Sequence, residues 1–186
     1  MAKGDVRARM VVGAARILAE KGLEGTSFAE VLARTEAPRG STYHHFPGGK
    51  RELVGAAIDL AGEQAKAVME PMRGQPAPAV VAAFFALWRH LLTTSDLRAG
   101  CAVLAVTVDA EDDVMRAHAG QVFRNWRAHL ETLLVDGGLT PASARRLAAT
   151  TIAASEGAVA LARAEQDMTA FDLVEADLIA LAERAL

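Results

Sequence analysis

The amino-acid sequence predicts an all-α protein of about nine helices. Three observations carry that prediction. Apolar residues recur at steps of three and four, as in Val6, Met10, Ala14, Ile17 and Leu18. No segment sustains the apolar/polar alternation, bounded by hairpin turns, that a half-buried strand requires. Helix start and stop signals punctuate the chain, from Ser27 with Glu30 to Thr140-Pro141. There is no internal repeat and no low-complexity tract.

The first helix ends at Lys21-Gly22, which supplies a cation for the last turn and a glycine for the left-handed stop. Ser27 and Glu30 are spaced as a capping box, the hydroxyl and the carboxylate each satisfying an orphan amide of a short helix that runs to Thr35. Ala37 precedes a proline and leans away from helical geometry, while Pro38 suits a first helical position. Arg39 to Phe46 is therefore read as a third helix, ended by Phe46-Pro47-Gly48-Gly49. Leu53, Ala57, Leu60 or Ala61, Gln64 and Val68 mark a long fourth helix from Lys50 to about Met69, closed by Pro71 and a linker through Pro78. Ala79 to Thr94 is apolar around most of its circumference, and Ala102 to Ala110 is a shorter apolar segment. Glu111, Asp112 and Asp113 place carboxylates where a helix amino terminus favours them, opening a helix expected to reach Asp136. Gly137-Gly138 stops it. Thr140-Pro141 opens the next in cap-then-proline order to about Glu165, and a last helix covers Ala170 to Ala185.

At 186 residues and 52% hydrophobic content the chain can bury a substantial core. The net charge of -3 is unevenly spread: residues 1 to 51 hold nine basic against five acidic side chains, net +4, and the remainder carries -7. A basic amino-terminal segment on an acidic body confines attraction for a polyanion to one end. Cys101 is the single cysteine, which excludes an intrachain disulfide and any cysteine-built zinc or iron–sulfur site. The amino-terminal residues show no apolar run before a small-residue cleavage site, and the apolar run Ala77 to Trp88 is too short to span a bilayer, so a soluble, cytoplasmic protein with no membrane partner is expected. Catalysis would need a nucleophile with its base, paired carboxylates or a metal cluster. Cys101 and a distant histidine have no such local signature, so no enzyme, no catalytic residue and no cofactor are expected.

Two short helices joined by a tight break, Ser27 to Thr35 and Arg39 to Phe46, suggest a helix-turn-helix that reads DNA. The second carries a guanidinium, two hydroxyls, a phenol and two imidazoles within seven residues, which suits phosphates and base edges better than packing. Thr26 and Ser27 open the first of the two where a phosphate could dock. Adjacent histidines point about 100° apart on a helix and no third ligand is near, so His44-His45 is not read as a metal site. Phe28, Val31, Leu32 and Phe46 are core candidates.

With those residues in place, the head resembles the tetracycline-repressor family of transcriptional regulators. The stretch from Ala37 to Leu53, with Arg39-Gly-Ser-Thr-Tyr-His-His-Phe46 at its centre, is especially similar to the branch named for LmrA and YxaF. The likeness is strongest over residues 5 to about 55; Gly100-Cys101, the long Pro141 helix and Glu156-Gly157-Ala158 agree more loosely. Three departures stand out: Glu36 where the family commonly has glycine, Pro38 where many members have a side-chain cap, and a Gly48-Gly49 loop one residue longer than usual.

The resemblance implies a helix-turn-helix head over residues 1–50, joined by a long helix to an effector-binding and dimerisation body over 51–186. It puts Arg39, Gly40, Ser41, Thr42 and Tyr43 on the exposed front of the recognition helix with His44 and His45 behind. Base reading would then fall mainly to Arg39, and Thr26, Ser27, Thr42, Tyr43, His45 and Lys50 suit phosphates. A small hydrophobic or amphiphilic effector would enter a cavity drawn from Met69, Phe84, Phe85, Trp88, Cys101, Leu104, Phe123 and Trp126, with His90, His118, His129 and Asp109 as polar candidates. The small-residue strip Ala149, Ile152, Ala153, Gly157 and Ala160, with Phe171, Val174, Leu178 and Leu181, is the candidate homodimer face. The expected partner is a pseudo-palindromic double-stranded operator, held by a ligand-responsive repressor. The alternatives are a DNA-binding regulator without an effector, or an activator.

Overall fold

The computed structural model describes the chain from Lys3 to Leu186. Among the described residues the regular structure is helical: α1 (Lys3–Lys21), α2 (Phe28–Thr35), α3 (Ser41–His45), α4 (Gly49–Met69), α5 (Ala77–Thr94), α6 (Ala102–Asp109), α7 (Asp113–Asp136), α8 (Pro141–Glu165) and α9 (Thr169–Arg184), with a 3-10 turn at Glu70–Met72. The all-α prediction holds, and the long helices begin and end within a turn of their expected bounds.

The third helix differs. It begins at Ser41 and not at Arg39, because the Ser41 N–H closes a turn on the Pro38 carbonyl at 2.9 Å. Pro38 therefore opens that turn and is not a first helical residue. The capping box is half made. The Glu30 N–H donates to Ser27 Oγ at 3.2 Å, but the Glu30 carboxylate pairs with the Lys21 ammonium, which also holds its pKa below the ordinary value.

Packing groups the chain into two compact units, Met1–Glu63 with Cys101–Val122, and Gln64–Gly100 with Phe123–Leu186. In the first, α1 buries Met10, Ala14, Ile17 and Leu18 among Val31, Phe46, Leu53 and Val54. Each of the larger of these side chains contributes about 1.5 to 3 kcal/mol. Gly13 lets α1 and α2 cross closely, since a Cβ there would lie 2.4 Å from Thr35 Cγ2. Glu36 then turns the chain at φ 52°, taking unaided the left-handed conformation for which glycine is better suited. In the Gly48-Gly49 pair, Gly49 takes the positive φ of 72°.

In the second unit, α5, α8 and α9 pack together around Phe85 and Phe171, whose rings meet edge to face at 5.4 Å. Arg89 lies over the Phe171 ring at 5.1 Å and pairs with Asp172 at 2.7 Å and with Glu175. The apolar run of α5 continues beyond Trp88: the whole helix is 18 residues long at a mean hydropathy of 1.3, enough to cross a membrane by length and composition alone. Here Val80, Val81, Phe84, Phe85, Trp88 and Leu92 are buried in the core.

Candidate nucleic-acid interface

Two buried residues orient α3. Phe46, fully buried at its end, packs 6.3 Å from the Phe28 ring with the Arg7 guanidinium 5.2 Å above it, and Thr42 faces inward one turn earlier. On a helix the neighbours Tyr43 and His44 must then point away. Tyr43 is 87% exposed and His44 is exposed beside it. His44 thus stands with Tyr43 at the front, whereas His45, half-buried against the His44 ring at 5.0 Å, is the histidine behind. Arg39 and Gly40, exposed in the turn just before the helix, make the leading edge, and a Cβ on Gly40 would meet nothing within 4 Å. Ser41 is half-buried, and Ser27 is exposed at the start of α2.

Two expected contacts turn inward. Thr26 is fully buried and its hydroxyl donates to the Gly22 carbonyl at 2.8 Å, which closes the end of α1 and leaves no donor for a phosphate. Thr42 is 6% exposed and its hydroxyl donates to the Arg39 carbonyl at 3.4 Å, because Phe46 draws that face of α3 into the core. Lys50 Nζ donates to the Leu23 carbonyl at 2.7 Å, so its ammonium ties the start of α4 to the α1–α2 turn. From the other side, the Leu23 N–H donates to Asp109 Oδ2 at the end of α6, at 3.1 Å. Sequence reasoning could not find that bond: its partners are 86 residues apart and neither belongs to a recognisable spacing.

The aromatic set divides between the units. Met69, Phe84, Phe85, Trp88, Phe123 and Trp126 belong to the second, where Trp126 contacts the rings of Trp88 at 6.4 Å and Phe123 at 5.6 Å. The cavity beside Met69, Phe84, Trp126 and His129 holds only ≈ 10 Å³, room for about one water. Phe85 is core against Phe171. Cys101 and Leu104 belong to the first unit, where Cys101 Sγ caps α6 by accepting the Leu104 N–H at 3.3 Å. Of the polar candidates, His118 pairs with Asp59 at 2.7 Å, His90 is exposed, and Asp109 holds Leu23. Burial pushes the His129 pKa down, opposed by the Glu70 carboxylate and a backbone hydrogen bond at Lys66, while the charges of Arg73 and Lys66 add to the effect.

Along α8, Ala149, Ala153, Gly157 and Ala160 are exposed on one face, and a Cβ on Gly157 would meet nothing within 4 Å. Leu161, Leu173 and Leu181 are exposed large apolar residues of α8 and α9. Ile152, Phe171 and Leu178 instead point into the chain's own core, and Val174 is half-buried, because the α9 stripe packs on α5 and α8.

A basic head with two short helices, the second anchored by Phe46 and turned outward at Arg39, Tyr43 and His44, is a helix-turn-helix DNA-binding domain. Comparison with known proteins agrees. Residues 11–57 match the family described as bacterial regulatory proteins, tetR family, and residues 76–177 match the LmrA/YxaF-like transcriptional regulator C-terminal domain. A helix-turn-helix-type transcriptional regulator of Mycobacterium tuberculosis is 38% identical over 92% of this chain and 91% of its own length. The regulator LmrA of Bacillus subtilis is 24% identical over 91% of this chain and 92% of its own. The regulatory protein TetR from Rhodobacter sphaeroides shares the fold with a TM-score of 0.80 at 22% identity, over 94% of this chain and 97% of that one. The chain belongs to the TetR family of transcriptional regulators, with a carboxy-terminal region of the LmrA/YxaF type.

Proposed function

We propose that this regulator is a homodimeric, cytoplasmic repressor that grips successive major grooves of a pseudo-palindromic operator and lets go when a small apolar or amphiphilic effector binds. The observation that carries this reading is the outward set Arg39, Tyr43 and His44 on a helix whose other face is locked by Thr42 and Phe46. Arg39 can donate two hydrogen bonds to a guanine, and Gly40 beside it lets the backbone approach the groove. Ser27, Tyr43, His45 and Lys50 set register on phosphates. Residues 1–50 serve DNA and 51–186 serve the effector and the second copy. The dimer forms through the open face of α8 at Ala149, Ala153, Gly157 and Ala160, flanked by Leu181.

Effector binding must favour a conformer whose two recognition helices are wrongly spaced, and typical coupling is about 1 to 3 kcal/mol. The helix α4 runs from the head into the second unit and is the natural lever. Sequencing duplexes selected by the purified chain tests the proposal. It should return an inverted repeat with half-sites about 34–36 Å apart, bound with a steep salt dependence. A monomer in solution, or no salt-sensitive affinity for any duplex, overturns it. The ≈ 10 Å³ cavity supports a second reading, a regulator with no effector site among its aromatic residues. A thermal-shift screen of hydrophobic amphiphiles separates the two, because only the first yields compounds that both stabilise the protein and release DNA.

A further inference from the structure

The first unit has an opening of its own, lined by residues of that unit alone. A groove of ≈ 460 Å³ runs between α4 on one side and α6 and α7 on the other, within the size range of small-molecule sites. Its apolar floor comes from Val54 and Ile58 of α4, Val106 of α6 and Met115 of α7, and Val114, 63% exposed, stands at its wall. Gly55 lets α4 and α7 approach closely at the groove: a Cβ there would sit 3.1 Å from His118 Cε1.

The two ends of the groove differ. Along α4 from Arg51 to Asp59 is about 12 Å. At the first end stand Arg51 and Arg7, beside the amino terminus of α4 and its positive dipole. Arg51 pairs with Asp112 at 2.6 Å, but it is 62% exposed, and a guanidinium has donors to spare for a second carboxylate. Arg7, held over Phe46, reaches Glu52 only at 3.9 Å, and Glu52 Oε2 is itself taken by the Gly48 N–H at 2.9 Å. The far end holds the Asp59–His118 pair and no guanidinium.

We propose that this groove binds an elongated apolar monocarboxylate, its acid group at Arg51 and Arg7 and its body along Val54, Ile58 and Met115. The site is separate from the aromatic cluster of the second unit, and its existence does not depend on the effector reading above. Both walls hold the same turn of the head, Lys50 through the Leu23 carbonyl and Asp109 through the Leu23 N–H. An occupant that spreads them would loosen that turn.

Calorimetric titration of the full chain with octanoate and 3-phenylpropionate tests the site, with octylamine and 3-phenylpropanol as controls. Both acids should bind and both controls should not. Arg51→Gln should weaken the acids about tenfold through loss of a charge-assisted bond. Gly55→Leu, which fills the groove, should abolish binding, and Trp126→Phe should leave it unchanged. Absence of binding by either acid, equal binding of octylamine, or unaltered affinity in Arg51→Gln overturns the proposal, and Arg51→Gln keeps the test decisive should Gly55→Leu fail to fold. A chain that binds acids but no duplex sinks the regulator reading alone; one that binds duplex but no acid sinks the groove alone.

Discussion

Leu23 is held through both faces of its peptide: its N–H donates to Asp109 Oδ2 at 3.1 Å, and its carbonyl accepts from Lys50 Nζ at 2.7 Å. One residue of the α1–α2 turn thereby senses the end of α6 and the start of α4 together. Asp109→Ala should cost about 1 to 2 kcal/mol in urea denaturation, the range for a partly exposed bond to a charged acceptor. It should also weaken duplex affinity with an unaltered salt slope, since no phosphate contact is lost. Lys50→Ala, if Lys50 also reaches a phosphate, should lower both stability and the salt slope, the latter by about one unit. An unchanged slope would assign Lys50 to the turn alone.

Glu36 stands at φ 52° where glycine would meet no steric penalty. Glu36→Gly should stabilise the head by up to about 1 kcal/mol, the left-handed penalty of about 1 to 2 kcal/mol less the entropy glycine loses on folding. A urea midpoint that falls on this substitution would contradict the account of the turn.

The recognition face divides into readers and anchors. Arg39→Ala should cost about 1 to 3 kcal/mol of operator affinity and relax selection at one base position. Thr26→Val should leave base preference and salt slope intact while lowering the melting temperature, because its hydroxyl serves Gly22. Selection experiments on both variants check the division, and equal loss of sequence preference in the two would refute it.

His129 supplies a pH dependence in the second unit. Its folded pKa lies below the ordinary 6.5, chiefly through burial, so the unfolded chain takes up the proton first. Stability is therefore undiminished above about pH 6.5 and declines as pH falls from there toward the folded pKa, levelling off below it. Thermal melts from pH 7.5 to 5 should show this slope, and His129→Gln should flatten it relative to the parent.

Gly157 has open space where a side chain would go. Gly157→Arg should leave the helical circular-dichroism spectrum unaffected yet block close approach of a second α8, which sedimentation would report as a monomer. A dimer that survives the substitution would move the interface off this face.

Most of the fold was legible because the helices are long and carry their own stop signals, as Lys21-Gly22 and Thr140-Pro141 do. The short α3 was legible in kind and misplaced at its start, since a turn closed by Ser41 on Pro38 and a helical first turn have the same local sequence. Thr26 and Thr42 read as phosphate ligands because residue type does not reveal which face Phe46 draws inward. Similarly, Phe171 and Leu178 form a stripe that suits a partner helix or a neighbour in the same chain, and only packing against Phe85 decides between them. The grip on Leu23 and the groove beside Gly55 arise from residues far apart in the chain, where periodicity carries no information.

Cys101 is 8% exposed and its sulfur serves as the cap of α6. With no other thiol in the sequence, a maleimide or disulfide reagent has one target. Its labelling rate therefore times the local opening of that helix, and a compound or a duplex that slows the reaction has tightened this part of the protein from a distance.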